Sequence, residues 1–589
     1  MAETLNEHLA SAAAAGKGGL RFVDRRESAT WLGWGEVRER AEKVASSLLR
    51  LGLRPRERVA LIFPTAPEFF DAFFGVLLAG GTPSPLYPPV RLGRLGEYHR
   101  RTRRMVELLD APLVLADARV RRLLGEAVAG LGLRIGCLRL RDLPTAEAGE
   151  VPRERAPGAG DLGLVQFSSG TTVDPKPVAL SHRALLSQVR LLNSFWPDTA
   201  EARHTGVSWL PLYHDMGLIG CVFAALALAT DLTLIPPEHF VTRPAIWLRT
   251  LSRYGGTVSP APNFAYGLCL RKISDAELEG VDLGCWKVAL NGAEPVSIPV
   301  LRAFQERFGP FGLRPEALTP VYGLAEAALA VTFSDLKTPF RTRRFDRRRL
   351  AASGIAREDP SGAEWVSVGR PLPETEVEIR HRVAAPGPSG PVGEGVVGRV
   401  WVRGPSLMDG YLDLPDETGR VLREGWLDTG DEGFLFREEL FLTGRAKDML
   451  LLRGRNVAPQ TVEMALDEVA GSRTGCSVAV SWMPEGAESE ELLLLVETEK
   501  GLGPEELRRL PAACRKAVLA ATGLAADHLR LLEPGTLPRT SSGKLRRQEA
   551  LRLYLAGELQ PPDRVTAFGL AAAMGRSAWA FARQRAKGA

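Results

Sequence analysis

Residues 164–182 run Leu-Val-Gln-Phe-Ser-Ser-Gly-Thr-Thr-Val-Asp-Pro-Lys-Pro-Val-Ala-Leu-Ser-His. An apolar run ending at Phe167 feeds a loop of Ser168, Ser169, Gly170, Thr171 and Thr172, and Lys176 precedes a second apolar run. Hydroxyls, backbone N–H groups and one cation are what a polyphosphate needs. Gly170 lets the backbone turn sharply and come close to a ligand. Lys176 adds a compact point charge. Alone, the loop also reads as a polar turn between two strands.

Further blocks follow. Ser208-Trp-Leu-Pro-Leu-Tyr-His-Asp-Met-Gly-Leu-Ile-Gly220 holds a His-Asp pair, which invites a hydrolase reading, but no Gly-x-Ser-x-Gly elbow supplies a nucleophile. Asn291-Gly-Ala-Glu-Pro295 reads by itself as a turn. Tyr322-Gly-Leu-Ala-Glu326 joins a ring suited to stacking to a carboxylate. Gly425-Trp-Leu-Asp-Thr-Gly-Asp431 ends in a carboxylate able to accept from both hydroxyls of a diol, or to cap a turn. Gly444-Arg-Ala-Lys-Asp448 follows. Lys544, in Thr540-Ser-Ser-Gly-Lys544, is no Walker lysine, because Leu545 stands where Ser or Thr is required. Alone it is one more cation in a basic patch.

In this order the blocks resemble the adenylate-forming superfamily of acyl-CoA synthetases, peptide-synthetase adenylation domains and luciferases, over roughly residues 5–552. The Trp-Leu-Pro-Leu-Tyr-His-Asp-Met-Gly-Leu and Asn-Gly-Ala-Glu-Pro blocks are most similar to those of fatty acyl-AMP ligases. The resemblance implies ATP- and Mg²⁺-dependent activation of a fatty acid to an acyl-adenylate, with pyrophosphate released. It assigns the phosphates to Ser168, Ser169, Gly170, Thr171, Thr172 and Lys176. It assigns adenine to Asn291, Gly292, Ala293 and Glu294, with Tyr322 stacking beside Gly323, Leu324 and Ala325. Ribose falls to Asp431 and Arg445, and Mg²⁺ to Glu326 and Thr171. Lys544 becomes a catalytic lysine on a mobile C-terminal domain that turns at Asp448. His214 stands at the junction of acyl pocket and phosphates, with Trp209, Asp215, Met216 and Ile219 around the acyl chain. Each buried methylene adds about 0.8 kcal/mol, so an apolar pocket holds an alkyl chain by length alone.

The resemblance further implies transfer of the acyl group to the phosphopantetheine arm of a separate acyl carrier protein; no Asp-Ser-Leu of the kind that carries such an arm occurs in the tail. One rival is a fatty acyl-CoA synthetase. Another is a non-catalytic homologue, because Val173 and Pro177 replace glycines usual in the phosphate loop, and Ala458 stands where tyrosine is common. Proline removes an N–H and fixes φ. Against decay, Glu326, Asp431, Arg445 and Lys544 are all retained.

These residues need a large scaffold. At 589 residues the chain exceeds one core. Apolar runs at Arg58–Phe63, Leu113–Ala116, Thr205–Pro211, Leu232–Pro236, Gly256–Ser259 and Lys287–Leu290 alternate with helical patterns such as Ala41–Leu53 and Pro67–Ala79. The expected class is therefore α/β, with parallel sheets and helical crossovers. Strand signals from Val366 to Gly404 suggest a small distorted barrel. From Asp448 a compact α+β unit is expected, with strands at Met449–Leu452, Ser477–Val480 and Leu492–Glu497 and helices at Pro459–Val469 and Glu505–Ala521. The expected division is 1–447, 448–553 and a tail, 554–589, that reads as a docking helix. Residues 337–365 lack periodicity and carry six arginines between Arg341 and Arg349, as a solvated loop would. The resemblance makes them an insertion packed on the smaller domain, marking fatty acyl-AMP ligases.

A net charge of +5 with no basic stripe interleaved with aromatics gives no reason to expect nucleic-acid binding. The six cysteines form no C-x-x-C pair, so neither a zinc site nor a disulfide framework is indicated. No secretory signal opens the sequence, and a cytoplasmic location is expected. The uncharged segment Gly217–Thr230 is about 14 residues, short of the ~20 that span a bilayer, and reads as a buried helix.

Overall fold

The computed structural model describes residues 2–89, 92–147, 155–168, 175–196, 204–381, 390–452, 455–484, 490–540, 543–563 and 565–587. Its largest sheet has nine strands, in the order Arg370–Pro371, Ala330–Phe333, Leu318–Gly323, Val288–Asn291, Val258–Ala261, Gly206–Ser208, Asp231–Leu234, Gly19–Val23 and Ala29–Gly33. The six central strands, Leu318–Gly323 to Gly19–Val23, run parallel; antiparallel strands close both edges. A second, all-parallel sheet takes Thr82–Pro85, Arg58–Ile62, Leu113–Ala116 and Gly136–Leu138. The crossover helix Pro67–Leu78 buries Phe69, Phe70, Phe73 and Phe74, which is why its sequence is apolar on nearly every side.

The helix expected from Ala41 starts at Trp34. Its N-cap is Gly33, with no side chain to signal a start. The Gly217–Thr230 segment is helical from Asp215 to Ala227 and mostly buried, with a π turn at Leu218–Phe223. Among the described residues no helix is long and apolar enough to cross a membrane, and the six cysteines are free thiols.

The barrel-like sheet pairs Glu376–Arg380, Gly398–Arg403, Trp426–Phe436 and Leu422–Arg423, with Glu439–Arg445 on Trp426–Phe436. The arginine-rich segment is not a solvated loop. It forms a hairpin of Thr342–Phe345 with Ala363–Val366, bracketing the helix Arg347–Ser353. Phe345 is fully buried, its ring 5.1, 5.3 and 5.5 Å from those of Phe434, Phe436 and Phe441. Its hydrophobic anchor is thus the barrel sheet. The helix Arg347–Ser353 also reaches the C-terminal part of the chain, beside Arg455–Val457.

From Leu450 to Leu555 the chain builds a separate layer. Ser472–Trp482, Glu491–Thr498 and His528–Leu532 form a sheet covered by Pro459–Asp467, Pro504–Thr522 and Arg547–Leu555. The tail helix Ala567–Lys587 then returns to the N-terminal part and lies on the helix Ala118–Val128.

Candidate active site

Both ends of the phosphate loop are described: the Ser168 N–H donates to the Lys176 carbonyl at 2.9 Å. Ser169, Gly170, Thr171, Thr172 and Val173 lie outside the described residues. Pro177 opens the strand Pro177–Ser181, opposite Phe167. A strand's first residue accepts proline's fixed φ and missing N–H, so this departure costs the fold little. Lys176 does not point free. Its Nζ pairs with Glu417 at 2.6 Å and lies 4.6 Å from the centre of the Tyr411 ring.

A cleft open to solvent lies beyond the ends of the central strands. Open parallel α/β sheets bind ligands there. One wall is the strand Leu318–Gly323 and the turn after it. A Cβ at Gly323 would stand 1.8 Å from the Leu329 carbonyl oxygen, so only glycine allows this turn, which holds Ala328 at φ 59°. Tyr322 donates its hydroxyl to Asp431 Oδ2 at 2.7 Å, and Arg445 Nε donates to Asp431 Oδ1 at 3.0 Å. Burial, helped by the Asp431 charge, holds the Tyr322 hydroxyl well above the usual range, so it stays a donor. The Asp431 carboxylate raises Arg445 against its burial. Both Asp431 oxygens are thus engaged, and Tyr322 orients the carboxylate that sequence reasoning gave to ribose. Glu326 sits on the following 3₁₀ turn and accepts from the Tyr411 hydroxyl at 2.9 Å.

Ala293 lines the cleft at φ 66°, a left-handed conformation costly for a residue with a Cβ. Asn291 is buried, its Nδ2 donating to Asn263 Oδ1 at 3.2 Å. Glu294 accepts from the Phe264 N–H. Burial raises its carboxyl, against the pull of that N–H, Lys544 and Arg539.

His214 Nδ1 lies 2.5 Å from Asp215 Oδ1 on the opposite side. Burial alone would raise Asp215; His214 and Lys544 outweigh it, and the carboxyl titrates below the usual range. Lys544 comes from the C-terminal layer. Its N–H donates to Thr540 Oγ1 at 3.0 Å, in a hairpin that aims its side chain into the cleft. Burial and Arg445 lower its ammonium pKa, opposed by Asp215, Glu294 and Asp431. Asp448 is buried and pairs with Arg547 at 3.1 Å, beside Glu463 on the same guanidinium at 2.6 Å.

Behind His214 the cleft continues between Met216, Leu192, Trp196, Leu329 and Phe333. Trp209 and Ile219, expected on the acyl chain, are not part of that wall. Trp209 stacks on Phe240 at 3.9 Å inside one core, and Ile219 is fully buried in another. An apolar run does not reveal which side of the backbone faces a cavity. Sequence reasoning missed the wall formed by Trp196, Leu329 and Phe333, because it comes from the end of a helix and from an antiparallel strand next to the sheet's edge, neither carrying a motif. It also missed Tyr411, which lies between two barrel strands in a two-residue strand, Gly410–Tyr411, paired with Pro177–Ser181.

The AMP-binding enzyme family matches residues 10–412. The chain belongs to that family. A Caulobacter vibrioides protein with a provisional acyl-CoA synthetase name is 35% identical over 562 residues, covering 92% of this chain and 94% of that one. The long-chain-fatty-acid–AMP ligase FadD26 of Mycobacterium marinum is 33% identical, covering 90% and 93%. Among solved structures, one from work on fatty acyl-adenylate ligases of E. coli and L. pneumophila superposes with a TM-score of 0.85 at 33% identity, covering 94% of this chain and 98% of that one. The AMP-binding family's adenylate chemistry matches a cleft that has carboxylates and cations at one end and apolar walls at the other.

Proposed function

We infer that this chain condenses a fatty acid with ATP to give a fatty acyl-adenylate and pyrophosphate. A carboxylate oxygen attacks the α-phosphorus, the bond to the β-phosphate oxygen breaks, and pyrophosphate leaves. Two anions must meet, so fixed cations have to offset their repulsion. The reading is carried by one observation: Lys544 and Arg445 converge with Asp431 at the polar end of a cleft whose other end is apolar. A solved L. pneumophila fatty acyl-adenylate ligase in complex with acyl adenylate and pyrophosphate is 27% identical, with a TM-score of 0.69.

In this reading Asp431 accepts from the ribose hydroxyls, with Tyr322 and Arg445 fixing its plane. Lys544 neutralises charge as it builds between carboxylate and α-phosphate. Glu326 offers the hard oxygen that Mg²⁺ takes, and a single carboxylate suits an ion that keeps water and phosphate as its other ligands. Held by Glu326, Mg²⁺ would supply positive charge against that of the phosphates. His214 stands where the acyl carboxylate enters, oriented by Asp215. Residues 1–447 and 448–553 act as two bodies turning at Asp448, and the acyl group passes to the phosphopantetheine thiol of a carrier protein. Coenzyme A is the competing acceptor, favoured by the name of the Caulobacter relative.

Fatty-acid-dependent exchange of labelled pyrophosphate into ATP tests the first step. Exchange that needs both fatty acid and Mg²⁺ is expected. Its absence with folded protein across a panel of chain lengths contradicts the reading.

A further inference from the structure

The tail helix Ala567–Lys587 is fastened to the helix Ala118–Val128 by one face. Ser577 is fully buried there, and its Oγ accepts from the Gly125 N–H at 2.7 Å. The helices cross so closely that a Cβ at Gly125 would stand 2.1 Å from the Ser577 carbonyl oxygen. Ala573 is buried on the same face, and the Arg121 guanidinium carbon lies 4.2 Å from the centre of the Phe581 ring.

This docking fixes which side of the tail looks outward. That side carries Phe568 and Trp579, which are 85% and 64% exposed. They stand about three helical turns apart and so project from one stripe. Arg583 packs on the Trp579 ring at 5.2 Å, and Arg576 flanks the stripe, paired with Glu126 at 3.2 Å. Residues 567–589 contain Arg576, Arg583, Arg585 and Lys587 and no acidic residue. The helix beneath adds exposed Arg119 and Arg122.

We propose that the outward face of the tail helix is an interfacial anchor for an anionic phospholipid surface. Exposed aromatic rings with a basic border are what a helix lying in the headgroup plane presents. The arginines meet the negative surface potential, and the rings enter at headgroup depth. Two bare rings spaced over three turns suit a bilayer interface better than an acidic protein partner, which the arginines alone would serve. The anchor would hold the enzyme where fatty acids partition. That purpose rests on the fatty-acid reading; the binding itself does not.

The test is flotation of the full chain with phosphatidylcholine vesicles, with and without phosphatidylglycerol. Binding to the anionic vesicles that weakens with added salt is expected. The double variant Phe568→Ala/Trp579→Ala should weaken it about tenfold or more at unchanged melting temperature, because both rings stand free of the core. Arg583→Glu should weaken it as well, which guards against a misfolded double variant. Absence of vesicle binding overturns the proposal, and so does binding that both variants leave unchanged. Variants that slow acyl transfer to a carrier protein while the parent ignores vesicles would assign the face to that protein instead.

Discussion

The two walls of the cleft are built in opposite ways. The N-terminal wall is cross-linked: Asp431 is held by Tyr322 and Arg445, and Glu326 by Tyr411, so side chains remote in sequence lock one another. Facing it beside His214 and Asp215 stands Lys544, carried by a single hairpin of the C-terminal layer. That hairpin is held by bonds within the C-terminal layer: Thr540 N–H donates to the Lys544 carbonyl at 2.8 Å, Arg539 Nη1 to the Gly543 carbonyl at 2.7 Å and Arg539 Nη2 to the Gly475 carbonyl at 2.5 Å. The C-terminal layer meets the N-terminal part through contacts such as Arg546 with Glu97 at 3.2 Å and Arg94 Nη2 with the Thr536 carbonyl at 2.8 Å. The nucleotide wall is therefore set before substrate arrives. The lysine belongs to the C-terminal layer, whose proposed turning at Asp448 would move it without breaking the bonds of that wall.

Removing the lysine is the sharpest way to separate the two walls. Lys544→Ala is expected to slow adenylation by roughly 10²–10³-fold while ATP affinity stays close to that of the parent. Pyrophosphate exchange and calorimetric ATP binding measure the two quantities. An equal loss of both would merge the walls into one site.

An effect of similar size, on stability instead of rate, concerns the ion pair at Asp448, the proposed turning point. Arg547→Ala leaves Asp448 and Glu463 buried without their cation, a loss of about 3–5 kcal/mol for a buried pair. Hydrogen exchange should rise in residues 455–555 and stay low in the nine-stranded sheet.

Asp431→Ala should do the reverse of Lys544→Ala. It removes charge-assisted bonds of about 1.5–3 kcal/mol, so ATP binding should weaken roughly 10- to 100-fold in titration calorimetry.

A pH profile gives the smallest effect. In the proposed mechanism Lys544 acts protonated, and burial with Arg445 lowers its pKa, so the adenylation rate should fall as pH rises through a value below the ordinary lysine range. The same limb should be absent from ATP binding.

The asymmetry also explains what could be read in advance. The central strands were legible because buried parallel strands read as apolar runs, as at Leu113–Ala116. The residues proposed for the nucleotide were legible because each sits in a compact block, such as Tyr322 and Glu326 at the end of Leu318–Gly323 and the turn after it. The hairpin under Phe345 was not, since one buried ring among arginines gives no period; only its aromatic neighbours far along the chain define it. Trp209 and Ile219 failed for the same reason, because apolar character says buried without saying against what. Pro177 was read as damage, and its place at a strand start is visible only once the pairing with Phe167 is known. Tyr322 was given a ring to stack, yet its hydroxyl does the tying.

The most direct measurement is mass spectrometry of the products from purified protein, ATP, Mg²⁺ and a panel of fatty acids, with and without coenzyme A. Acyl-adenylate that accumulates in both cases, with pyrophosphate released, is the predicted result. Absence of acyl-adenylate across the panel, with protein shown to be folded, would contradict the account, and acyl-CoA in the second case would replace the carrier protein by coenzyme A as the acceptor.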